Sequence, residues 1–151
     1  MIDRRSAIIA ATVLAACAAF YPKVTDMSSS RSHLREVRRL LGPVAEHLAP
    51  DDAVIAAWAP DPNYAPRQYR LMYDVDEAGF RLLARQVGLA VQATPEATEA
   101  LWRLPAGVAM TGWTADAVPP GAGLQAQGAV GMTVTSMRWH KQQLFIVVLP
   151  A

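Results

Sequence analysis

The chain has 151 residues, and 14 Lys and Arg against 13 Asp and Glu leave a formal charge of +1, too balanced to argue for nucleic acid or an acidic substrate. Its one cysteine, Cys17, excludes an intrachain disulfide and a cysteine-based metal site. Eleven prolines and nine glycines favour short elements and long loops.

The chain opens on a charged start (Asp3, Arg4, Arg5), an apolar run from Ser6 and the tetrad Leu14-Ala15-Ala16-Cys17. The run from Ser6 to Phe20 is fifteen residues, seven of them Ala. A bilayer-spanning helix wants about 20 apolar residues, whereas the apolar core of an export signal needs only about 7–15. The tetrad resembles the bacterial lipobox, with Leu three places before Cys and small residues between. That resemblance covers residues 1–17 and implies cleavage before Cys17, diacylglycerol on its sulfur and acylation of the new amino terminus. Two lipid signals suffice for stable anchoring. Three other readings stand beside it: an uncleaved short anchor, a twin-arginine signal carried by Arg4-Arg5, and Cys17 as a small apolar helix residue. For an uncleaved anchor, Lys23, Arg31, Arg35, Arg38 and Arg39 outweigh Arg4 and Arg5 and pull the carboxyl-terminal part inward.

Residues 18–30 read as a tether, with Phe20 and Tyr21 suited to a membrane interface and Ser28–Ser30 flexible. Residues 31–49 read as an amphipathic helical arm. Leu34, Val37, Leu41, Val44 and Leu48 share one stripe, and Arg31, Arg35, Arg38 and Arg39 lie opposite. Gly42-Pro43 divides the arm into helices at 32–41 and 43–48. The arginine stripe suits either anionic lipid head groups or plain solvent, and Glu36 interrupts it.

Residues 50–151 read as a small domain. Ala53–Trp58 is a buried strand, and Pro60–Pro66, with three prolines, a stiff loop. Gln68–Tyr73 alternates as a half-exposed strand, with Tyr69, Leu71 and Tyr73 on one face and Arg70 and Met72 on the other. Asp76 caps a helix whose inward stripe is Phe80, Leu83, Ala84 and Val87, and Gly88 ends it. Leu89–Ala93 is a short strand. Thr94-Pro95-Glu96 starts a helix running to about Trp102, and Gly107–Trp113 is a strand. Residues 114–128 show no period and read as a long loop. The runs Ala129–Trp139 and Gln143–Leu149 form a terminal hairpin, the last strand lying inside the sheet. The expected fold is α+β: a mainly antiparallel sheet of five or six strands with two helices on one face.

No arrangement of residues declares a reaction. His33, His47 and His140 have no neighbour at ligand spacing and read as surface histidines. Asp74-Val75-Asp76-Glu77 resembles an acid cluster, but its residues have local work as a strand end, a helix cap and a first-turn acid. Gly121–Ala126 matches a dinucleotide pattern by letter, without the strand before it and the helix after it. No metal or cofactor is therefore expected. Tyr64, Trp113, Asp116, Pro119, Pro120 and Leu124, in and beside the proline loop and the long loop, are the expected partner-binding residues. Cys17 is the expected lipid attachment, and Phe20, Tyr21, Arg31, Arg35, Arg38 and Arg39 are the membrane-proximal set. The expected function is a membrane-anchored envelope protein, its domain in the periplasm, acting as a non-catalytic accessory subunit. A tethered hydrolase using Asp74–Glu77 or a histidine, or a small-ligand-binding lipoprotein, is the alternative.

Overall fold

The structure is a computed structural model and describes residues 31–59, 67–96, 100–104, 106, 109–114 and 119–151. The leader, the tether and the proline loop at 60–66 lie outside the described residues.

The described residues begin with helix α1 (Arg31–Leu41), a 3-10 turn at Gly42–Val44 and a single α-turn, α2 (Ala45–Leu48). Gly42 takes φ +69°, a conformation that glycine adopts without penalty, and so ends α1. Strands β1 (Val54–Trp58) and β2 (Gln68–Asp74) follow, then helix α3 (Glu77–Gln86) and the short β3 (Val91–Ala93). The Asp76 carboxylate accepts the Gly79 N–H at 2.7 Å, capping α3 as its position in the sequence implies. Gly88, at φ +75°, stops it, and Leu89 N–H donates back to the Ala84 carbonyl at 2.8 Å. A 3-10 turn at Ala100–Trp102 precedes β4 (Leu124–Val130), β5 (Thr133–His140) and β6 (Gln143–Pro150).

The six strands form one antiparallel sheet in the order β1-β2-β6-β5-β4-β3. The fold is α+β, and β6 lies inside the sheet between β2 and β5. Its hairpin to β5 turns on Lys141 and Gln142, whose φ of 47° and 65° match the right-handed twist of the strands they join.

Side chains alternate across a strand, so each strand feeds two layers. On one face Ile55, Tyr69, Leu71, Tyr73, Met137, Leu144, Ile146 and Val148 meet Val37, Leu40, Leu41 and Leu48 of the first helical region and Phe80 and Ala84 of α3. Burying each large side chain here contributes about 1.5–3 kcal/mol. The amphipathic stretch 31–49 thus shares a core with residues of 50–151. The two helices on this face are α1 and α3, whereas the expected pair was α3 and 95–102.

Four expectations need correcting. Within Thr94–Trp102, the described residues show only the 3-10 turn. Residues 109–114 pair with no strand and instead turn, Trp113 N–H donating to the Met110 carbonyl at 3.1 Å. Residues 124–128, read as loop, are strand: Gln125 opposes Arg138 and Ala126 opposes Met137. The run 129–139 is two strands joined at Gly131-Met132, with Val130 opposite Thr133. Gly131 takes φ +56°, and its α-carbon lies so close to α1 that a β-carbon there would sit 2.5 Å from the Leu40 carbonyl oxygen.

Candidate functional site

The second face of the sheet is covered as well. Ala56, Met72, Phe145 and Val147 pack under Trp102, Met110 and Trp113. Trp102 and Trp113 stack with ring centres 6.1 Å apart, and Trp113 meets Phe145 edge-on at 5.2 Å. The indole N–H of Trp113 donates to the Trp102 carbonyl at 3.0 Å. This cover buries two arginines that alternation alone would place in solvent. Arg70 and Arg138 are 3% and 0% exposed. Arg70 Nη1 donates to Gln68 Oε1 at 3.1 Å and Nη2 to the Leu101 carbonyl at 3.2 Å. Both acceptors are neutral, so burial lowers the Arg70 pKa. The Arg138 guanidinium lies 4.7 Å from the centre of the Trp102 ring, and its Nε donates to Gln125 Oε1 at 3.3 Å. The half-exposed reading of β2 is corrected accordingly.

Of the expected partner-binding residues, Tyr64 and Asp116 lie outside the described residues. Trp113 is 3% exposed and belongs to the tryptophan cover. Leu124 stands in β4 opposite Trp139 and packs partly against the helix-side core. Pro119 is half-buried and Pro120 exposed, in a turn where Gly121 N–H donates to the Pro95 carbonyl at 2.8 Å. The four described residues do not form one exposed face.

The membrane-proximal set divides too. Cys17, Phe20 and Tyr21 lie outside the described residues, and Arg31 is the first residue of α1. Arg35 and Arg39 are exposed on the outer stripe of α1. Arg38 turns inward: its Nε and Nη2 donate to the Ala49 carbonyl at 3.0 and 2.8 Å, and Nη2 also reaches Asp51 at 2.8 Å. It thereby helps to close the end of α2, where the Tyr73 hydroxyl also donates to the His47 carbonyl at 3.3 Å.

A cleft that sequence reasoning missed opens between the start of α1 and the start of β2. It encloses about 480 Å³ and is lined by residues that include His33, Glu36, Arg39, Arg67 and Tyr69. His33, read as a surface histidine, is 4% exposed because Tyr69 stands edge-on to its ring at 6.2 Å. Arg67 Nη1 lies 3.4 Å from His33 Nδ1. A guanidinium only donates, so Nδ1 accepts and the neutral ring carries its proton on Nε2. That buried N–H meets no acceptor among the described residues. Burial lowers the His33 pKa, and the nearby Arg67 charge lowers it further. Glu36 is held by Arg39 at 2.8 Å, and that hydrogen bond keeps its carboxyl below the usual range. Among the described residues the cleft is therefore rich in donors, and its one carboxylate is engaged. It suits an anionic or acceptor-bearing group. The only sequence signal was His33 lying one turn before Val37, on the buried side of α1.

At the Asp74–Glu77 turn, Asp76 caps α3 and Glu77 pairs with Arg81 at 2.7 Å. Among the described residues, no group of three or more His, Cys, Asp or Glu is placed to hold a metal ion. Nor is any helix among them long and apolar enough to cross a membrane. No protein-family model, curated protein or solved structure matches this chain.

Proposed function

We propose that the protein is a membrane-anchored component of a bacterial cell envelope, its domain in the periplasm, that works as a non-catalytic accessory or partner-binding subunit. The observation that carries this reading is the lipobox-like tetrad ending at Cys17, the only cysteine in the chain, after a short apolar run. The fold supplies a supporting argument. The leader joins α1, and α1 is packed onto the sheet through Val37 and Leu41, both fully buried. A lipid on Cys17 would therefore hold the whole domain beside the bilayer on a tether of about a dozen residues. The exposed apolar residues Met132 and Val134 in one hairpin add contact area of the kind that partners use.

The test is to label cells with palmitate and purify the protein from solubilised membranes. The reading expects label on Cys17 and a stoichiometric protein partner; an unlabelled chain that purifies alone rejects it. The cleft at His33 favours a second reading, a lipoprotein that binds a small anionic ligand. Bound small molecule released on denaturing the purified protein would support that reading over the first.

A further inference from the structure

The strand register defines two ends of the sheet. One end carries the start of β2 with Arg67, the end of β6 at Pro150, the β4–β5 turn and α1. The other carries the end of β2, the Asp74–Glu77 turn and the Lys141-Gln142 turn.

The charges differ between these ends. At the first, Arg35, Arg39 and Arg67 are exposed, and Glu36 is paired with Arg39. At the second, Asp74 and Asp76 are exposed beside Lys141, Glu77 is paired with Arg81, and Asp52 precedes β1 next to Asp51, which is paired with Arg38. The apolar surface is placed unevenly as well. Among the described residues, the exposed large hydrophobic ones are Leu82 on α3 and, in the β4–β5 hairpin at the basic end, Met132 and Val134, at 60% and 41% exposure. Met132 N–H donates to the Leu40 carbonyl at 2.8 Å, which fixes this hairpin tip to the last turn of α1. The tip and the basic stripe therefore form one surface. Arg31, through which the thirty leader and tether residues join the fold, begins α1 at that same end.

We infer that this end of the sheet rests on an anionic bilayer, with Arg35, Arg39 and Arg67 against lipid phosphates and Met132 in the headgroup layer. The inference deepens the proposed membrane tether and rests on it. Charge decides the orientation. The surface potential of anionic lipids attracts basic residues and repels carboxylates within a Debye length, about 8 Å at physiological salt. A tether holds the domain within reach of the bilayer, and the segregated charges turn the basic end toward it. Guanidinium groups suit this role because their forked donors fit phosphate oxygens. An exposed thioether at the tip adds apolar contact without a charge to desolvate.

Met132 supplies its own probe. Met72, Met110 and Met137 are buried, at 8%, 5% and 0% exposure, so among them dilute peroxide oxidises Met132 first. The full-length protein is reconstituted on vesicles of phosphatidylcholine alone and of phosphatidylcholine mixed with phosphatidylglycerol. Flotation reports attachment, and peptide mass spectrometry reports the rate of Met132 sulfoxide formation. We expect oxidation on the anionic vesicles to be at least about threefold slower than on the neutral ones, because each arginine at such a surface is worth roughly a fivefold preference. The double variant Arg35→Glu, Arg67→Glu should return the rate to its neutral-vesicle value while Met137 stays protected, which shows that the fold is kept. Equal Met132 rates on the two vesicles, whether fast or slow, overturn the docking. The tether is read separately: flotation with neutral vesicles supports it. Flotation with anionic vesicles alone, with Met132 protected, rejects the tether and upholds the docking surface.

Discussion

Replacing Gly131 with alanine tests whether the β4–β5 hairpin is seated on α1. The structure provides its own control, because Gly42 and Gly131 both lie in the left-handed region, at φ +69° and +56°. A β-carbon at Gly42 would meet nothing within 4 Å. At Gly131 it would lie 2.5 Å from the carbonyl oxygens of both Leu40 and Leu41, which are backbone atoms that no rotamer change can move. Gly42→Ala should therefore cost only the left-handed backbone penalty, about 1–2 kcal/mol. Gly131→Ala carries the same penalty and also forces the turn away from the helix. The bond from Met132 N–H to the Leu40 carbonyl is lost, worth about 1 kcal/mol. Val130 and Leu40, at 4% and 5% exposure, partly regain water, for about 1–2 kcal/mol more. The expected total is about 3–5 kcal/mol, a large share of the stability of a small domain. Urea unfolding followed by tryptophan fluorescence measures both variants, with the slope of the transition checked for constancy. If Gly131→Ala costs no more than Gly42→Ala, the hairpin is not seated on α1 and the continuous basic end does not exist.

Other expectations follow from the buried groups. His33 has a lowered pKa, so the unfolded chain binds a proton that the folded chain refuses, and stability falls as pH drops below the ordinary histidine range. The urea midpoint should decline between about pH 7 and about pH 5, and His33→Gln should flatten that decline. Tyr73 lies at the opposite extreme: burial, with Asp52 nearby, pushes its phenol far above the usual range. Stability present at neutral pH should be lost as pH rises past the ordinary tyrosine value, about 10, and phenolate absorbance from Tyr73 should appear only with unfolding. Trp113→Ala removes the ring between Trp102 and Phe145 and leaves a cavity on the second face, costing about 3–5 kcal/mol by urea unfolding. A cost below about 1 kcal/mol would return Trp113 to the surface as a partner contact.

Much of this fold was legible where local chemistry and tertiary structure agree. Asp76, Gly88 and the apolar stripe of α3 mark a helix without outside help, and the turn at Lys141-Gln142 lies between two strongly β-forming runs. β4 escaped because Leu-Gln-Ala-Gln-Gly-Ala-Val carries almost no strand propensity of its own. It is strand because β5 lies on one side and β3 on the other, and neither partner is visible from within the segment. The burial of Arg70 and Arg138 escaped for a related reason. The tryptophans that cover them come from a turn-rich segment far along the chain, and periodicity describes which face a residue is on, not what covers that face. The candidate site was the least legible part. His33 follows a polar residue at a helix start, and only the return of β2 past it, with Tyr69 and Arg67, makes a cleft there.

The intact mass of the protein extracted from its membrane tests the central claim most directly. The account predicts a chain that begins at Cys17 and carries the mass of a diacylglyceryl group and an added acyl chain. An unmodified chain beginning at Met1 and recovered from the soluble fraction would contradict it.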